Sequence, residues 1–110
     1  MKLKKLNWKE KGSQRLVEAF LTLKTPREVE NFLRDLMTEK EILEFINRFK
    51  TAEMLTANVR YTDIEKETGF SSTTVARVSK WLGGKLGGYK NVIEKLNHHR
   101  KNKFLHRNLS

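Results

Sequence analysis

Cysteine is absent from the 110 residues, so the chain can build no disulfide framework, no thiolate metal site and no cysteine nucleophile. Proline occurs once and glycine six times, too few breaks for a loop-rich or low-complexity protein. Apolar runs are only a few residues long, far short of the roughly 20 that a membrane helix needs. Lys2, Lys4 and Lys5 near the start are followed by no apolar segment or cleavage site of a secretory signal. The expectation is a cytoplasmic protein, neither exported by that route nor membrane-spanning. Acid is scarce in one part of the chain: residues 71–110 hold nine Lys and Arg against the single acid Glu94. The net charge of +10 attracts a polyanion and speeds encounter with it, and the part that faces it is C-terminal. At this length a single core is possible, although some apolar surface can need a second copy to cover it.

The remaining composition is that of an all-α protein, and the apolar spacing predicts about six helices. Leu16, Val17, Phe20, Leu21 and Leu23 mark a first helix between Trp8 and Lys24. Thr25-Pro26-Arg27-Glu28 then has a hydroxyl at the N-cap, proline at the first helical position and glutamate at the third, the pattern of a capping box. It predicts a second helix over Pro26 to Met37, with Val29, Phe32, Leu33 and Leu36 as its buried stripe. Thr38-Glu39-Lys40-Glu41 repeats the box and opens a long central helix ending near Asn58. Its wide apolar face suggests burial from two sides, within the fold or at a dimer interface. Thr62-Asp63-Ile64-Glu65 has the pattern a third time and predicts a short helix that stops at Gly69. Two glycine pairs, 83–84 and 87–88, read as joints before a last short helix from Tyr89 to Leu96. The polar, basic stretch 97–110 reads as a frayed helix end or tail, so the expected organisation is one domain over 1–96 followed by that tail.

Tyr61 to Leu82 carries the chemistry. Gly69 supplies positive φ where two packed helices turn tightly, and Ile64, Phe70, Val75 and Val78 then share one small core. This arrangement predicts a helix-turn-helix over residues 62–82. The opposite face of its second helix presents Ser71, Ser72, Thr73, Ala76, Arg77 and Lys80. Small residues let a helix enter the major groove closely. Hydroxyls and helix N-terminal amides bond phosphate or base edges, and arginine grips guanine or phosphate with a forked guanidinium. No acid opposes this from Ser71 to Leu82.

From Leu36 through Leu82 the chain resembles the tryptophan-repressor superfamily, and Gly69 to Tyr89 (GFSSTTVARVSKWLGGKLGGY) resembles its YerC/YecD branch. The resemblance implies an intertwined homodimer whose N-terminal helices build a shared core, with two helix-turn-helix units meeting successive major grooves on a pseudo-palindromic operator. Its groove-facing positions match Ser71, Ser72, Thr73, Thr74, Ala76 and Arg77. In the tryptophan-binding members the corepressor lies against an arginine from the central helix and one from the recognition helix, which Arg48 and Arg77 match here; Thr38 matches a threonine at the pocket edge. Two positions depart. Val78 replaces a glycine whose missing side chain leaves room for the indole, and Trp81 replaces a serine that helps hold the ligand's ammonium. Valine would fill the cavity and Trp81 could serve as a built-in aromatic, so free tryptophan is not expected as corepressor. Arg48 is equally placed to pair with Glu44 one turn earlier on its own helix.

The functional reading is a DNA-binding transcriptional regulator, a repressor by resemblance, acting on double-stranded DNA as a homodimer and not as an enzyme. Thr73, Ala76 and Arg77 are its candidates for base readout; Ser71, Ser72, Thr74 and Lys80 are those for phosphate. The alternative is a protein-interaction adaptor that docks the same basic face on an acidic protein. His98, His99 and His106 lack the carboxylate or thiolate neighbours of a metal site, and neither a cofactor nor an activated nucleophile is indicated. Trp8, among lysines, reads as a loosely attached arm.

Overall fold

The computed structural model describes the backbone of residues 5–109 and side chains through residue 100. Six helices occur and no strand lies among the described residues: α1 (Lys11–Leu21), α2 (Pro26–Leu36), α3 (Glu39–Thr56), α4 (Tyr61–Thr68), α5 (Ser72–Leu82) and α6 (Gly88–Leu109). None is long and apolar enough to cross a membrane, among the described residues. The chain divides between Ile42 and Leu43 into two units.

In the first unit local signals set the helix ends. Ahead of α1, the Asn7 carbonyl accepts from the Glu10 N–H at 3.2 Å and from the Ser13 hydroxyl at 2.8 Å. These bonds start α1 later than the apolar pattern alone predicts. Thr25 caps α2, its hydroxyl oxygen accepting from the Glu28 N–H at 3.2 Å, with Pro26 at the first helical position. The return arm of that box runs from the Thr25 hydroxyl to the Glu28 carboxylate. At Thr38 the box closes fully: the Glu41 N–H donates to the Thr38 hydroxyl, and the Thr38 N–H donates to the Glu41 carboxylate at 2.9 Å. The Thr38 N–H, and after it the Thr38 hydroxyl that donates to the same carboxylate at 3.0 Å, hold the Glu41 carboxyl below the usual carboxylate value. Phe20 and Phe32 meet edge to face at 5.3 Å. Yet neither α1 nor α2 has a buried residue.

The second unit has a core. Ala52, Val78 and Ile93 form its centre, with Phe49, Leu55, Leu82 and Tyr89 packed around them. Ile64 and Val75 are also fully buried. Helix α3 ends in a Schellman turn: Asn58 takes a left-handed φ of 61°, the Val59 N–H reaches Met54 O at 3.0 Å, and the Asn58 N–H reaches Leu55 O at 3.0 Å. That turn delivers the chain into α4 early. Arg60, not Thr62, is the N-cap, and it makes no side-chain cap bond. The third capping box expected at Thr62 is therefore absent, because the helix already includes Tyr61 and Thr62. Helix α6 begins at Gly88, just after Gly87 with φ 67°, and continues to Leu109. Its length exceeds the Tyr89 to Leu96 expectation because no glycine or proline comes after Gly88 to end it.

Candidate nucleic-acid interface

The geometry of the interface begins at Gly69, whose φ of 75° closes α4 while its N–H bonds Glu65 O at 2.8 Å. Two residues later Ser71 stands in extended backbone as the N-cap of α5, its hydroxyl accepting from the Thr74 N–H at 3.2 Å. From that start, every third or fourth residue points inward: Val75 at 0% and Val78 at 1% exposure. Ile64 of α4 is fully buried with them, and Phe70 in the turn is half-buried. The result is a helix-turn-helix over residues 61–82.

The pinned inner face leaves the outer one free. Ser71, Ser72, Thr73, Ala76, Arg77 and Lys80 are all exposed, whereas Thr74 is half-buried. The hydroxyls of Ser71 and Thr74 lie 3.1 Å apart. Ser71 thus spends its oxygen on the helix cap, leaving the first N–H groups of α5 without intrahelical acceptors, the arrangement that suits an anion. Among the described residues neither Arg77 nor Lys80 has an ion-pair partner, whereas Arg15, Arg34, Arg48, Lys50 and Arg60 are each paired with a carboxylate. The outer face of α5 therefore carries two uncompensated cations and no acid. Such a face attracts a polyanion.

The residues matched to a corepressor pocket are differently employed. Thr38 lies in the first unit with its hydroxyl engaged in the Glu41 box. Val78 is at the centre of the second unit's core, and Arg77 is exposed on the outer face. Within the second unit Arg48 and Trp81 come together. The Arg48 guanidinium lies 5.8 Å from the Trp81 ring centre and 5.4 Å from that of Phe45, and it pairs with Glu44 at 3.3 Å. Of the two roles open for Arg48, the Glu44 pair is present, and the ring contacts beside it were not among the expectations.

An apolar cavity of about 730 Å³ lies beside Trp81, walled also by Phe49, Leu86, Tyr89 and Val92 with Lys80 at its edge. Phe49 and Tyr89 meet there with ring centres 6.5 Å apart. Sequence reasoning missed it. The glycine pairs are its only local trace, since they let Leu86 stand out at 98% exposure. His98 and His99 are exposed on α6, and among the described residues no group of three metal-ligating side chains occurs. The side chain of His106 lies outside the described residues. Trp8 is 62% exposed.

Known proteins share this arrangement. The family model described as Trp repressor protein matches residues 11–97. The uncharacterized protein YerC of Bacillus subtilis (strain 168) is 33% identical over 96 residues, spanning 87% of this chain and 90% of YerC. A crystal structure of a TrpR-like protein from Eubacterium eligens ATCC 27750 superposes with a TM-score of 0.78 at 37% identity, covering 82% of this chain and 93% of that one. The similarity to YerC agrees with the branch expected from Gly69 to Tyr89.

Proposed function

The chain belongs to the Trp repressor protein family, and from that premise we propose that it is a cytoplasmic, sequence-specific DNA-binding transcriptional regulator that represses as a homodimer on a pseudo-palindromic operator. The observation that carries the reading is the outer face of α5: exposed Thr73, Ala76 and Arg77, a capped N-terminus at Ser71, unpaired Arg77 and Lys80, and no acid. Thr73, Ala76 and Arg77 read base edges in this proposal, while Ser71, Ser72, Thr74 and Lys80 hold phosphate, the hydroxyls of the cap adjusting to do so.

Support for the homodimer comes from the first unit. Leu16, Val17, Phe20, Leu21 and Leu36 stay 39–78% exposed on amphipathic helices, a surface that a second copy covers at little cost because every such copy has the same stripe. Residues 1–96 then act as one domain whose core the partner completes, and 97–110 as a basic extension. Support for independence from free tryptophan comes from Val78, which is buried and which the family resemblance matches to the glycine that leaves room for an indole.

The test is selection of bound duplexes from a random double-stranded library at physiological salt, with and without added tryptophan. A two-fold symmetric motif enriched equally in both pools is expected. In a second experiment on that motif, Arg77→Ala should cost about 1–3 kcal/mol and relax the preference at one base pair. Enrichment only with tryptophan would overturn the role given to Val78. The absence of a motif from both pools would favour the adaptor that docks an acidic protein.

A further inference from the structure

Arg48 sits on the central helix and Trp81 on the last turn of the recognition helix, and they touch. We propose that Arg48 is a positioning residue for DNA binding: it acts as an internal latch that holds the C-terminal end of α5 against α3 through the Trp81 ring. The proposal deepens the DNA-binding reading and rests on it for its functional consequence, although the latch itself does not.

Three observations carry it. First, the Arg48 guanidinium is held on more than one side: Glu44 takes one edge at 3.3 Å, and the Phe45 and Trp81 rings lie at 5.4 and 5.8 Å. Glu44 and Phe45 belong to the same helix as Arg48, so they fix its orientation; Trp81 is the contact that leaves the helix. Arg48 is 36% exposed at its side chain and Trp81 is exposed at 46%. A cation over an indole face is attracted by the ring quadrupole, and arginine's planar group suits the contact better than lysine's.

Second, the rest of α5 is anchored elsewhere. Val75 is buried near the turn and Val78 joins Ala52 and Ile93 in the middle of the helix. Beyond them, half-buried Leu82 packs on the same core from one side, and the helix stops at Gly83. Third, the segment beyond α5 supports it poorly. Gly83, Gly84, Gly87 and Gly88 bracket only Lys85 and the 98%-exposed Leu86, so the connection to α6 cannot act as a stiff strut. Beside the Leu82 packing, the Arg48 contact adds a second restraint on the end of the helix through Trp81, and the tilt of that end sets how Arg77 and Lys80, one turn and one residue before Trp81, approach a groove.

The latch makes a prediction that a plain surface cation does not. In a Trp8→Phe background Trp81 is the sole indole, and its exposure can be read by acrylamide quenching in the full chain. Arg48→Met and Arg48→Lys are compared with it. Their affinity is measured for a mixed-sequence duplex of about 30 base pairs, long enough for two half-sites one helical turn apart. Arg48→Met should increase quenching of Trp81 and weaken binding about two- to fivefold, the range one cation–π contact at an exposed site supports. Arg48→Lys should recover part of both. Trp81→Leu, introduced into the wild-type chain, should weaken binding by a similar factor, and adding Arg48→Met to it should weaken binding no further.

Equal losses from Arg48→Met with and without Trp81→Leu would overturn the proposal, since Arg48 would then act on DNA by its charge alone. Unchanged Trp81 quenching in Arg48→Met would overturn it as well. If the wild-type chain binds no duplex, the DNA-binding reading falls by itself. The quenching series then still decides whether the latch exists, and the positioning role falls with the reading it rests on. Melting temperatures of each variant guard against simple unfolding, and a variant that has lost its fold is replaced by the milder Trp81→Phe, which should keep most of the contact.

Discussion

The two units of this chain are built from the same material and finished differently. Through Ile42 the helices are amphipathic and locally paired, with threonine caps on α2 and α3 and no side-chain cap on α1, but α1 and α2 bury nothing. From Leu43 onward the capping is as mixed, Ser71 capping α5 and Arg60 contributing no side-chain cap to α4, yet Ala52, Ile64, Val75, Val78 and Ile93 are sealed in. Helix formation and stability are thus separable. Caps and period decide where a helix starts and which side is apolar, whereas stability comes from covering that side. The second unit covers part of its own and, in the proposed reading, presents one polar face to DNA; the first leaves its stripe for the second copy of the proposed homodimer.

The largest effect should come from charging that uncovered stripe. Leu16→Asp with Phe20→Asp places two carboxylates on the face where Phe20 meets Phe32, and burying them at a dimer interface would cost several kcal/mol. Sedimentation should then give a species near the 13.0 kDa monomer mass where the parent chain sediments as a dimer. The same mass for both proteins, whichever it is, would break the comparison, since the first unit would not be depending on a second copy. A single substitution in the other unit is the counterpart. Val78→Gly removes a side chain at 1% exposure from the middle of α5. It should cost about 3 kcal/mol in denaturant unfolding, roughly 2 from lost burial and roughly 1 from glycine in a helix. If added tryptophan restores that stability by binding the variant and not the parent, Val78 is what excludes it.

Legibility in the sequence divides along the same line. The boxes at Thr25 and Thr38 are legible because each is a contact between residues three apart, and the turn at Gly69 is legible because only its φ of 75° is at issue. Thr62 misleads because the preceding helix end overrides it: the Schellman turn at Asn58 starts α4 two residues before the pattern does. The outer face of α5 can be read from period alone, since Val75 and Val78 fix which side is inside. Arg48 is half legible. Its pair with Glu44 is one turn away, but its contact with Trp81 joins two helices and was not among the expectations. The cavity beside Trp81 is not legible, because it gathers Phe49 of α3 with Tyr89 and Val92 of α6 around a glycine-flanked Leu86.

Caps offer a finer test, because one of the same kind exists in each unit. Thr25→Ala and Ser71→Ala each remove a hydroxyl that accepts an N–H three residues on at 3.2 Å, and each should cost about 1 kcal/mol. Amide exchange should separate them. Without the Thr25 cap, α2 should open locally, having no buried residue to hold it. Without the Ser71 cap, only the first turn of α5 should loosen, because Val75 and Val78 anchor the later turns. A uniform loss of protection across α5 would mean that the core holds the recognition helix less firmly than its burial implies.

The smallest effect is in the first turn of α3. Bonds from the Thr38 N–H and hydroxyl hold the Glu41 carboxyl below its usual value, so the box stabilises the ionised form. Its contribution is present above the value Glu41 has in the unfolded chain and is lost as pH falls through the lower value of the folded state. Because the group is exposed, solvent screens the interaction and the change in total stability should be slight. Carboxyl chemical shifts of Glu41 tracked through acid pH are the sensitive readout. Thr38→Val removes the hydroxyl but keeps the N–H, so the midpoint should rise only part of the way to that of a free glutamate. A full return would assign the shift to the hydroxyl, and no change would assign it to the backbone bond alone. The box in the first unit would in that case be held by its main chain, as the helix ends of the second unit are at Asn58 and Gly69.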